Sequence, residues 1–579
     1  MALITQINAS VTSVFIRVSA NAMFRKRTKT ERLWEILPGV QFWTVFFGAI
    51  VLSYYRPIWA ALFIICFDLY WVLKALNVAT HLVAAYRKFR ICVTIDWLDF
   101  AQRLENFPDF IKFLETQKSQ TNKSIVKKFY REEIIKIKSL IQAGKKGGFV
   151  RDYYHLILIP FTDESFEILN STFSALAAAN YPKEKMLIVM ASEERMGEGA
   201  QIVAKQIKEK YQHLFYKFFI TVHPDGLPDE IKGKSANASF AVQAVLPELE
   251  KLNITVPQVL VSNFDSDTIV HPEYFARVMY EFLIADKPYQ SSYQPIAIYN
   301  NNIWDSPAII RVVSVSNSFF QFTESSRPDR LRTFSSHTMT LQALVDISFW
   351  KKDIVNEDGY VYWQCYMHYK GDYKVIPLFI PISLDTCLAD TTFQTLINQY
   401  KQKRRWAYNV EYYPHLVPKL LKLDAPFWDK MYKLFQYVEG NFNWATASIL
   451  ISSLGWLPLF LGGDAFRESV IGYNLPTVTK TLMTIATFFL IFSVYINLIL
   501  LPPRPKKYNL WHSVMMYLQW FLVPITSVIF SSLPAVEAQT RLMFGQYLEF
   551  WVTPKSRKGE STGLTMKEMQ SNTNLQKHK

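Results

Sequence analysis

Asp265 and Asp267, separated by one serine, are the residues whose types and spacing most directly suggest chemistry in this chain. They follow a short apolar run at 259–261, which is typical of a buried parallel strand. Open α/β sheets bind ligands at the carboxyl ends of their strands, and two carboxylates there suit one hard divalent cation. The pattern predicts a site for Mg²⁺ or Mn²⁺, with a solvated acidic turn as the simpler alternative.

A lysine and an acidic pair could complete such a site. Lys234 is predicted at the start of a helix, where its ammonium and the backbone N–H groups could both meet a diphosphate. Glu357 and Asp358 could supply a general base, whose pKa would be raised by burial and by the like charge beside it. The simpler interpretations are a solvated lysine and a charged turn before Gly359.

Gln402, Arg405 and Trp406 are three and four residues apart, so they share one face of a predicted helix. A guanidinium fork suits phosphate and an indole face suits the C–H surface of a sugar. The alternative is a helix anchored at a membrane interface. We assign that lipid-contacting role to the neighbouring basic residues Lys401, Lys403 and Arg404.

Strand and helix signals alternate through the region that must position these residues. The alternation predicts βαβ units with right-handed crossovers, and hence a mostly parallel sheet. The predicted strands cover residues 154–159, 185–191, 215–222 and 259–264. The predicted helices cover residues 164–179, 200–212 and 235–246, the last stopped by Pro247.

Composition favours a membrane protein with several domains. Half of the 579 residues are hydrophobic and the net charge is +14, which favours an anionic partner. Long apolar runs favour the membrane, so we expect membrane lipid rather than nucleic acid. The four cysteines form no Cys-x-x-Cys pair and predict neither a zinc site nor a disulfide framework. The predicted membrane spans cover residues 37–55, 58–76, 444–461, 481–501 and 510–533.

Basic residues flanking these spans predict the orientation. They place both ends of the first two spans in the cytosol, the loop at 464–479 outside and the segment at 502–507 inside. The fifth span should then exit, although the tail is basic and favours the inside. Pro524 and Pro534 could make the fifth span re-entrant, or residues 535–552 could return. Asp68, which is costly in lipid, should face protein or water.

Taken in order, the motifs resemble those of the membrane-integrated family 2 glycosyltransferases, the group that contains cellulose, chitin and hyaluronan synthases. The resemblance covers residues 152–410 by motif and the flanking spans by layout. Five elements carry it: Ile-Pro-Phe-Thr-Asp-Glu at 159–164, Gly-Lys-Ser-Ala-Asn at 233–237, Asp-Ser-Asp at 265–267, Asn-Glu-Asp at 356–358 and Gln-Lys-Arg-Arg-Trp at 402–406.

The resemblance implies an α/β domain of the GT-A, Rossmann-like type inserted between transmembrane helices, and inverting transfer from a nucleotide sugar, expected to be a UDP-sugar. It implies Asp358 as general base, and Asp265 and Asp267 as ligands of Mg²⁺ or Mn²⁺. The implied donor-binding residues are Pro160, Thr162, Glu164, Glu193, Lys234, Asn237, Asp265 and Arg405. The implied acceptor-binding residues are Glu357, Gln402 and Trp406.

Two departures from the family pattern affect the donor site. The family has an Asp-rich motif that contacts the nucleotide base, and this chain has Met-Ala-Ser-Glu-Glu at 190–194 in its place. We expect Glu193 to contact the base instead, and the specificity for uracil is left open. Thr162 and Asp163 replace the usual Tyr-Asn. The acceptor is a growing polysaccharide or other glycan in the first hypothesis and a lipid-linked molecule taking a single sugar in the second. The third hypothesis is a catalytically silent membrane scaffold or export subunit.

These expectations divide the chain into seven parts, with the protein integral to the cell membrane and its catalytic domain cytosolic. The parts are an N-terminal interfacial segment at 1–36, a transmembrane hairpin at 37–86, a cytosolic helical linker at 87–150, the catalytic domain at 151–385, interface helices at 386–438, a C-terminal transmembrane region at 439–552 and a disordered tail at 553–579.

Overall fold

The computed structural model describes residues 27–500, 508–554 and 556–557. An α/β domain forms the centre, a long helical hairpin precedes it in the chain and further helices follow it. The strands are β1 Tyr154–Pro160, β2 Met186–Glu193, β3 Lys217–His223, β4 Val259–Asn263, β5 Ile269–Val270, β6 Ser291–Tyr299, β7 Thr338–Thr340 and β8 Lys374–Leu384.

The α-helices that the structure describes are numbered in chain order. They are α1 Lys29–Tyr55, α2 Pro57–Cys92, α3 Trp97–Arg103, α4 Phe107–Gln120, α5 Ser124–Gln142, α6 Phe166–Ala177, α7 Gly197–Tyr211, α8 Lys234–Lys251, α9 Tyr274–Ile284, α10 Ala308–Ser325, α11 Leu341–Asp346, α12 Glu357–His368, α13 Thr392–Ala407, α14 Tyr413–Lys422, α15 Phe427–Ser452, α16 Leu457–Leu461, α17 Gly463–Arg467, α18 Val470–Leu500, α19 Leu510–Leu518, α20 Val523–Ser527 and α21 Leu533–Met543.

The strands form one sheet in the order β3-β2-β1-β4-β7-β6-β8-β5. The strands β1 to β4 run parallel, which confirms the predicted alternation in that half. The prediction of a mostly parallel sheet also holds for β6 and β8, which pair in parallel, whereas the short strands β7 and β5 are antiparallel to their neighbours. β5 and β7 span only two and three residues, too short for strand periodicity to show in the sequence.

The predicted stop of α8 at Pro247 is also wrong, because the helix continues to Lys251. A proline inside a helix removes one hydrogen bond and crowds the preceding turn. Val245 and Leu249, on either side of Pro247, are buried in the core beside strand residues. Their burial offsets the cost of the proline.

The predicted helical linker is built from α3, α4 and α5, which pack on the α/β domain through a buried charge network. Lys136 in α5 pairs with Glu281 in α9 at 3.1 Å. Glu281 also pairs with Arg277 at 2.5 Å, and the Arg277 guanidinium lies 3.7 Å from the centroid of the Trp97 ring. The linker and the α/β domain therefore share one core.

Within the described residues, four helical stretches are long and apolar enough to cross a membrane, by length and composition. They are Lys29–Tyr55, Pro57–Cys92, Val470–Ile496 and Leu510–Met543. The predicted span at 444–461 is not a single helix, because α15 ends at Ser452 and short helical turns follow it. Asp68 is buried at 2% exposure, as expected for a carboxylate in such a helix.

The chain that follows α15 reaches the turn between α1 and α2. A Cβ atom at Gly462 would lie 2.7 Å from Pro57, the first residue of α2. Near its start, α15 contacts the α/β domain, where the Tyr432 hydroxyl donates to Asp329 at 3.1 Å. The segment from α15 to Gly462 therefore connects the α/β domain with the tip of the α1–α2 hairpin.

Residues 508–543 contact the α/β domain at their start and the neighbouring helix α13 near their end. The Tyr508 ring stacks on Trp304, with 6.1 Å between ring centroids. Near the other end, Glu537 pairs with Arg404 of α13 at 2.6 Å. Both ends of the segment thus contact the same body of the protein, and the choice between a re-entrant and a crossing fifth span stays a prediction.

The predicted terminal segments lie partly outside the described residues. Residues 1–26 of the N-terminal segment and 558–579 of the tail are not described. Thr553 and Arg557 are described, and they contact Gln402 and Asp385 respectively. The predicted disorder of residues 553–579 stays a prediction, since most of them lie outside the described residues.

Candidate active site

The predicted site residues meet where β4, α8 and α12 end or begin. Asp265 lies two residues beyond the last residue of β4. Lys234 is the first residue of α8, and Glu357 and Asp358 open α12. Carboxylates are favourable at a helix N-terminus, whereas a lysine there faces the positive end of the helix dipole and needs compensating negative charge.

That compensation is visible in the contacts of Lys234. Its Nζ atom lies 2.8 Å from Asp265 Oδ1, 3.3 Å from both carboxylate oxygens of Asp358 and 3.8 Å from Glu357 Oε1. Only 12% of the Lys234 side chain is exposed. One ammonium therefore joins the predicted metal-binding carboxylate to the predicted general base.

Burial and neighbouring charges together raise the pKa values of both Lys234 and Glu357 in this cluster. Burial by itself would lower the pKa of Lys234, but the carboxylates of Asp265, Asp358 and Glu357 outweigh it and raise that pKa above its ordinary value. Burial raises the pKa of Glu357 to about 8, and the negative charge of Asp358 adds to the shift. Both effects favour the protonated form of Glu357.

Two serines that the sequence motifs did not indicate support Asp265. Ser335 Oγ donates to Asp265 Oδ2 at 2.6 Å, and the Asp265 N–H donates to Ser336 Oγ at 3.3 Å. Ser336 has φ of 64°, a conformation that costs free energy for a residue other than glycine. A positive φ at a serine leaves no sequence signal, so only the structure identifies this loop.

Asp267 is held by a second set of contacts. Its Oδ2 accepts from the backbone N–H of Asp385 at 2.8 Å. The buried Asp385 carboxylate pairs with Arg557 through two hydrogen bonds of 2.7 and 3.0 Å. Burial and the nearby charge of Asp267 raise the pKa of Asp385. Asp385 and Arg557 therefore belong to the site although no motif indicated them.

The donor atoms around Asp265 and Asp267 are of the type that Mg²⁺ and Mn²⁺ prefer. The described residues contain no group of three or more His, Cys, Asp or Glu side chains arranged to hold a metal ion. Mg²⁺ is nevertheless often held by one or two carboxylates together with substrate phosphates. Asp265, whose side chain is 30% exposed, is open to such a ternary arrangement, so the residues fit a metal that arrives with its diphosphate.

The residues after β1 and on α8 support this edge of the sheet. Pro160 is the last residue of β1. Glu164 accepts from the Thr162 N–H at 2.7 Å and from Ser266 Oγ, between the two aspartates, at 2.6 Å. Asn237 donates to the carbonyl of Ala191 at the end of β2, at 2.8 Å. Glu164 and Asn237 therefore brace the strand ends.

Within the part of the chain that the structure describes, Glu193 makes no contact with the cluster around Lys234. It is buried at the end of β2, and its two oxygens accept from Arg195 at 2.7 and 3.1 Å. Its expected contact with the donor base would require the carboxylate to exchange Arg195 for the base.

The predicted helix face of Gln402, Arg405 and Trp406 lies on α13. The carbonyl of Arg405 accepts from the side-chain amide of Asn356 at 2.7 Å, which ties α13 to the start of α12. The Arg405 charge acts on the pKa of Glu357 by lowering it. The Trp406 ring lies 6.1 Å from that of Tyr299, centroid to centroid. α13 therefore faces the Lys234 cluster.

The neighbouring basic residues of α13 do not form the predicted lipid-contacting group. Lys403 is buried and donates to Asn317 Oδ1 of α10. Arg404 pairs with Glu537, and Lys401 lies 5.6 Å from the Trp551 ring centroid. The sequence pattern did not show that other helices cover this face.

Residues 546–554 and 556–557 cross the site and were not predicted to take part in it. A Cβ atom at Gly233 would lie 2.7 Å from Phe550, and the same ring lies 4.8 Å from the Arg405 guanidinium. The Gln402 amide donates to Thr553 at 3.3 Å. This segment therefore covers the start of α8 and contacts α13.

No protein-family model matches the chain, and no curated protein matches it. Among solved structures it is similar to a mannosyltransferase from Pyrobaculum calidifontis in complex with GDP-Man and Mn²⁺, at 14% identity and a TM-score of 0.33, over 65% of this chain and 86% of that chain. It is also similar to residues 1–349 of S. aureus TarS in complex with UDP-GlcNAc, at 11% identity and a TM-score of 0.33, over 70% of this chain and 99% of that chain. Similarity at this level carries no argument about chemistry.

Proposed function

We propose that this protein is a membrane-integrated, inverting family 2 glycosyltransferase with a GT-A-type domain, which transfers a sugar from a nucleotide sugar to a glycan. The observation that carries the proposal is Lys234, which contacts Asp265 on one side and Asp358 on the other. A proposed metal ligand, Asp265, and the proposed general base, Asp358, thus both contact the Lys234 side chain. They lie at the strand ends, where α/β sheets bind ligands.

In this mechanism Asp358 accepts the proton of the acceptor hydroxyl. The hydroxyl oxygen bonds to the anomeric carbon while the bond from that carbon to the diphosphate breaks, and the nucleoside diphosphate leaves with the electron pair. One displacement inverts the anomeric centre. Arg405 and Lys234 lie where cations can neutralise the charge on the leaving group.

Asp265 and Asp267 would hold Mg²⁺ or Mn²⁺ together with the diphosphate. When bound, the ion neutralises phosphate charge and orients the leaving group. Ser335 and the Asp385 N–H keep the two carboxylates in place through their bonds of 2.6 and 2.8 Å. Lys234 exchanges Asp265 for the diphosphate when the donor binds, and keeps its contact with Asp358.

A second candidate, single addition to a lipid-linked acceptor, is favoured by the position of α13. This helix carries the proposed sugar platform Trp406, and Arg404 beside it pairs with Glu537 in an apolar segment long enough to cross a membrane. The acceptor site therefore lies beside helices suited to lipid. Elongation and single addition share the chemistry and differ in product length.

The test uses the purified full-length protein in detergent. UDP-sugars and GDP-sugars are screened for release of the nucleoside diphosphate, with and without a metal chelator, and product length is measured for each active donor. We expect turnover of one donor, lost with chelator and lost in Asp267→Asn. The outcome against the proposal is a well-folded protein that releases nucleotide from none of the donors, which would favour the scaffold hypothesis.

A further inference from the structure

Lys403 is a buried lysine that the proposed mechanism leaves unused. It lies in α13 between Gln402 and Arg405, and its side chain is 8% exposed. Nζ donates to Asn317 Oδ1 of α10 and lies 5.1 Å from the centroid of the Trp406 ring. Among the described residues, no carboxylate lies within ion-pair distance of this ammonium.

A lysine ammonium has three N–H donors, and the structure supplies an acceptor for one of them. A buried charge without a counterion is costly, and here burial lowers the pKa of Lys403 to about 7. The indole face of Trp406 attracts the ammonium but accepts no conventional hydrogen bond. Two N–H donors therefore remain for a ligand.

The surroundings of Lys403 are partly open on the acceptor side. Trp406 and Asn317 are both partly exposed, and Trp406 is the residue proposed to carry the acceptor sugar. The neighbouring cation Arg404 is neutralised by Glu537. Lys403 is thus the buried cation of α13 whose head group adjoins the sugar platform.

We propose that Lys403 binds an anionic oxygen, carboxylate or phosphate, carried by the acceptor next to the sugar on Trp406. The inference rests on the proposed function, and it adds the chemical class of the acceptor. A uronic acid in the glycan and the phosphate of a lipid-linked acceptor present the same chemistry. Both would accept hydrogen bonds from the two remaining N–H groups of Lys403 and supply the missing counterion.

The first experiment measures transfer to three matched oligosaccharides: neutral, carrying one uronic acid, and carrying one phosphate. Lys403→Met keeps the length of the side chain without its charge, Lys403→Arg keeps the charge, and Lys419→Met at an exposed position of α14 is the control. We expect Lys403→Met to raise KM about tenfold or more for one anionic acceptor, with the neutral acceptor unchanged. Lys403→Arg should retain part of that preference.

The anionic acceptor that is affected identifies the source of the charge. Equal losses for neutral and anionic acceptors would show a structural role for Lys403 and overturn the proposal. Unchanged KM for all three acceptors in Lys403→Met would overturn it as well.

The second experiment does not need transfer activity, so it separates failure of this inference from failure of the proposed function. Reductive methylation of Lys403 near pH 7 is followed by peptide mass spectrometry, with Lys419 as internal reference. Glucuronate, inorganic phosphate and glucose are the probes. We expect glucuronate or phosphate to slow methylation of Lys403 severalfold and glucose to have no effect. Equal protection by all three probes, or by none, overturns the proposal.

Discussion

Two buried lysines of this protein lie in opposite electrostatic environments. Lys234 at the strand ends is 12% exposed and is surrounded by three carboxylates, which raise its pKa. Lys403 on α13 is 8% exposed and contacts an amide oxygen and an indole, and burial lowers its pKa to about 7. Burial alone therefore does not decide the charge of a lysine, because the partners that other elements bring to it do.

The difference separates the roles of the two regions. In the strand-end site Lys234 is already paired with carboxylates, so a ligand there must exchange partners with Lys234. Within the described part of the chain the Lys403 ammonium has no carboxylate partner, so an anionic ligand there would supply the counterion. The predictions below test this contrast, beginning with the largest expected effect.

Asp358→Asn should reduce sugar transfer by about 10²–10⁴-fold, because the amide cannot accept the proton of the acceptor hydroxyl. The measurement is the initial rate at saturating donor, together with the Kd of the donor, which should change much less. Asp372→Asn is the control, since Asp372 pairs with Lys287 at the surface. Transfer at the wild-type rate in Asp358→Asn would remove the general-base role.

Lys234→Met should lower the free energy of unfolding by about 3 kcal/mol, because it leaves the buried Glu357 and the partly buried Asp265 and Asp358 without their counterion. Donor binding should weaken in the same variant. Thermal unfolding in detergent gives the first effect and donor titration the second. Lys232→Met, at an exposed position paired with Asp225, should change neither the free energy of unfolding nor donor binding. If both variants behaved alike, the buried position of Lys234 would have no special role.

Glu357→Gln should reduce the loss of transfer activity and of folding stability that the wild type shows at alkaline pH. The pKa of Glu357 is about 8 in the folded protein, above its ordinary value, so the folded state binds more protons than the unfolded state between these two values. Folding stability from this group is therefore full below the ordinary value and falls as pH rises towards about 8. Above pH 8 a new negative charge lies beside Asp358.

The measurement compares initial rates and unfolding free energies of Glu357→Gln and the wild type from pH 5 to 9.5. The wild type should lose activity with a midpoint near pH 8, and the variant should not. An unchanged midpoint in the variant would assign that titration to another group.

Lys403→Met should keep or increase stability, by on the order of 1 kcal/mol, because it replaces an unpaired buried charge by an apolar side chain of similar length. The expected change in the free energy of unfolding thus has the opposite sign to that of Lys234→Met. The pair of variants therefore tests directly whether the two lysines differ in their counterions. Thermal unfolding of both variants in the same detergent is the measurement. A loss as large as that of Lys234→Met would mean that Lys403 has a counterion.

The sequence by itself determined the features that depend on neighbours along the chain. The alternation of strand and helix through β4 follows from local apolar periodicity, and it is confirmed in the parallel half of the sheet. Asp265 beyond a strand end and Lys234 at a helix start follow from the same local signals. The length of the apolar runs likewise predicted α1, α2 and α18, because crossing a bilayer requires a minimum run of apolar residues.

Only the tertiary structure decided which charges meet. Lys234 and Asp358 are 124 residues apart, and Arg557 reaches Asp385 across 172 residues. The motif spacing around Lys403 does not distinguish a lipid-facing lysine from a buried one, because α10 covers it from a distant part of the chain. Burial and counterions are properties of the packed molecule, and they decide whether a basic residue is solvated, paired or left to bind a ligand.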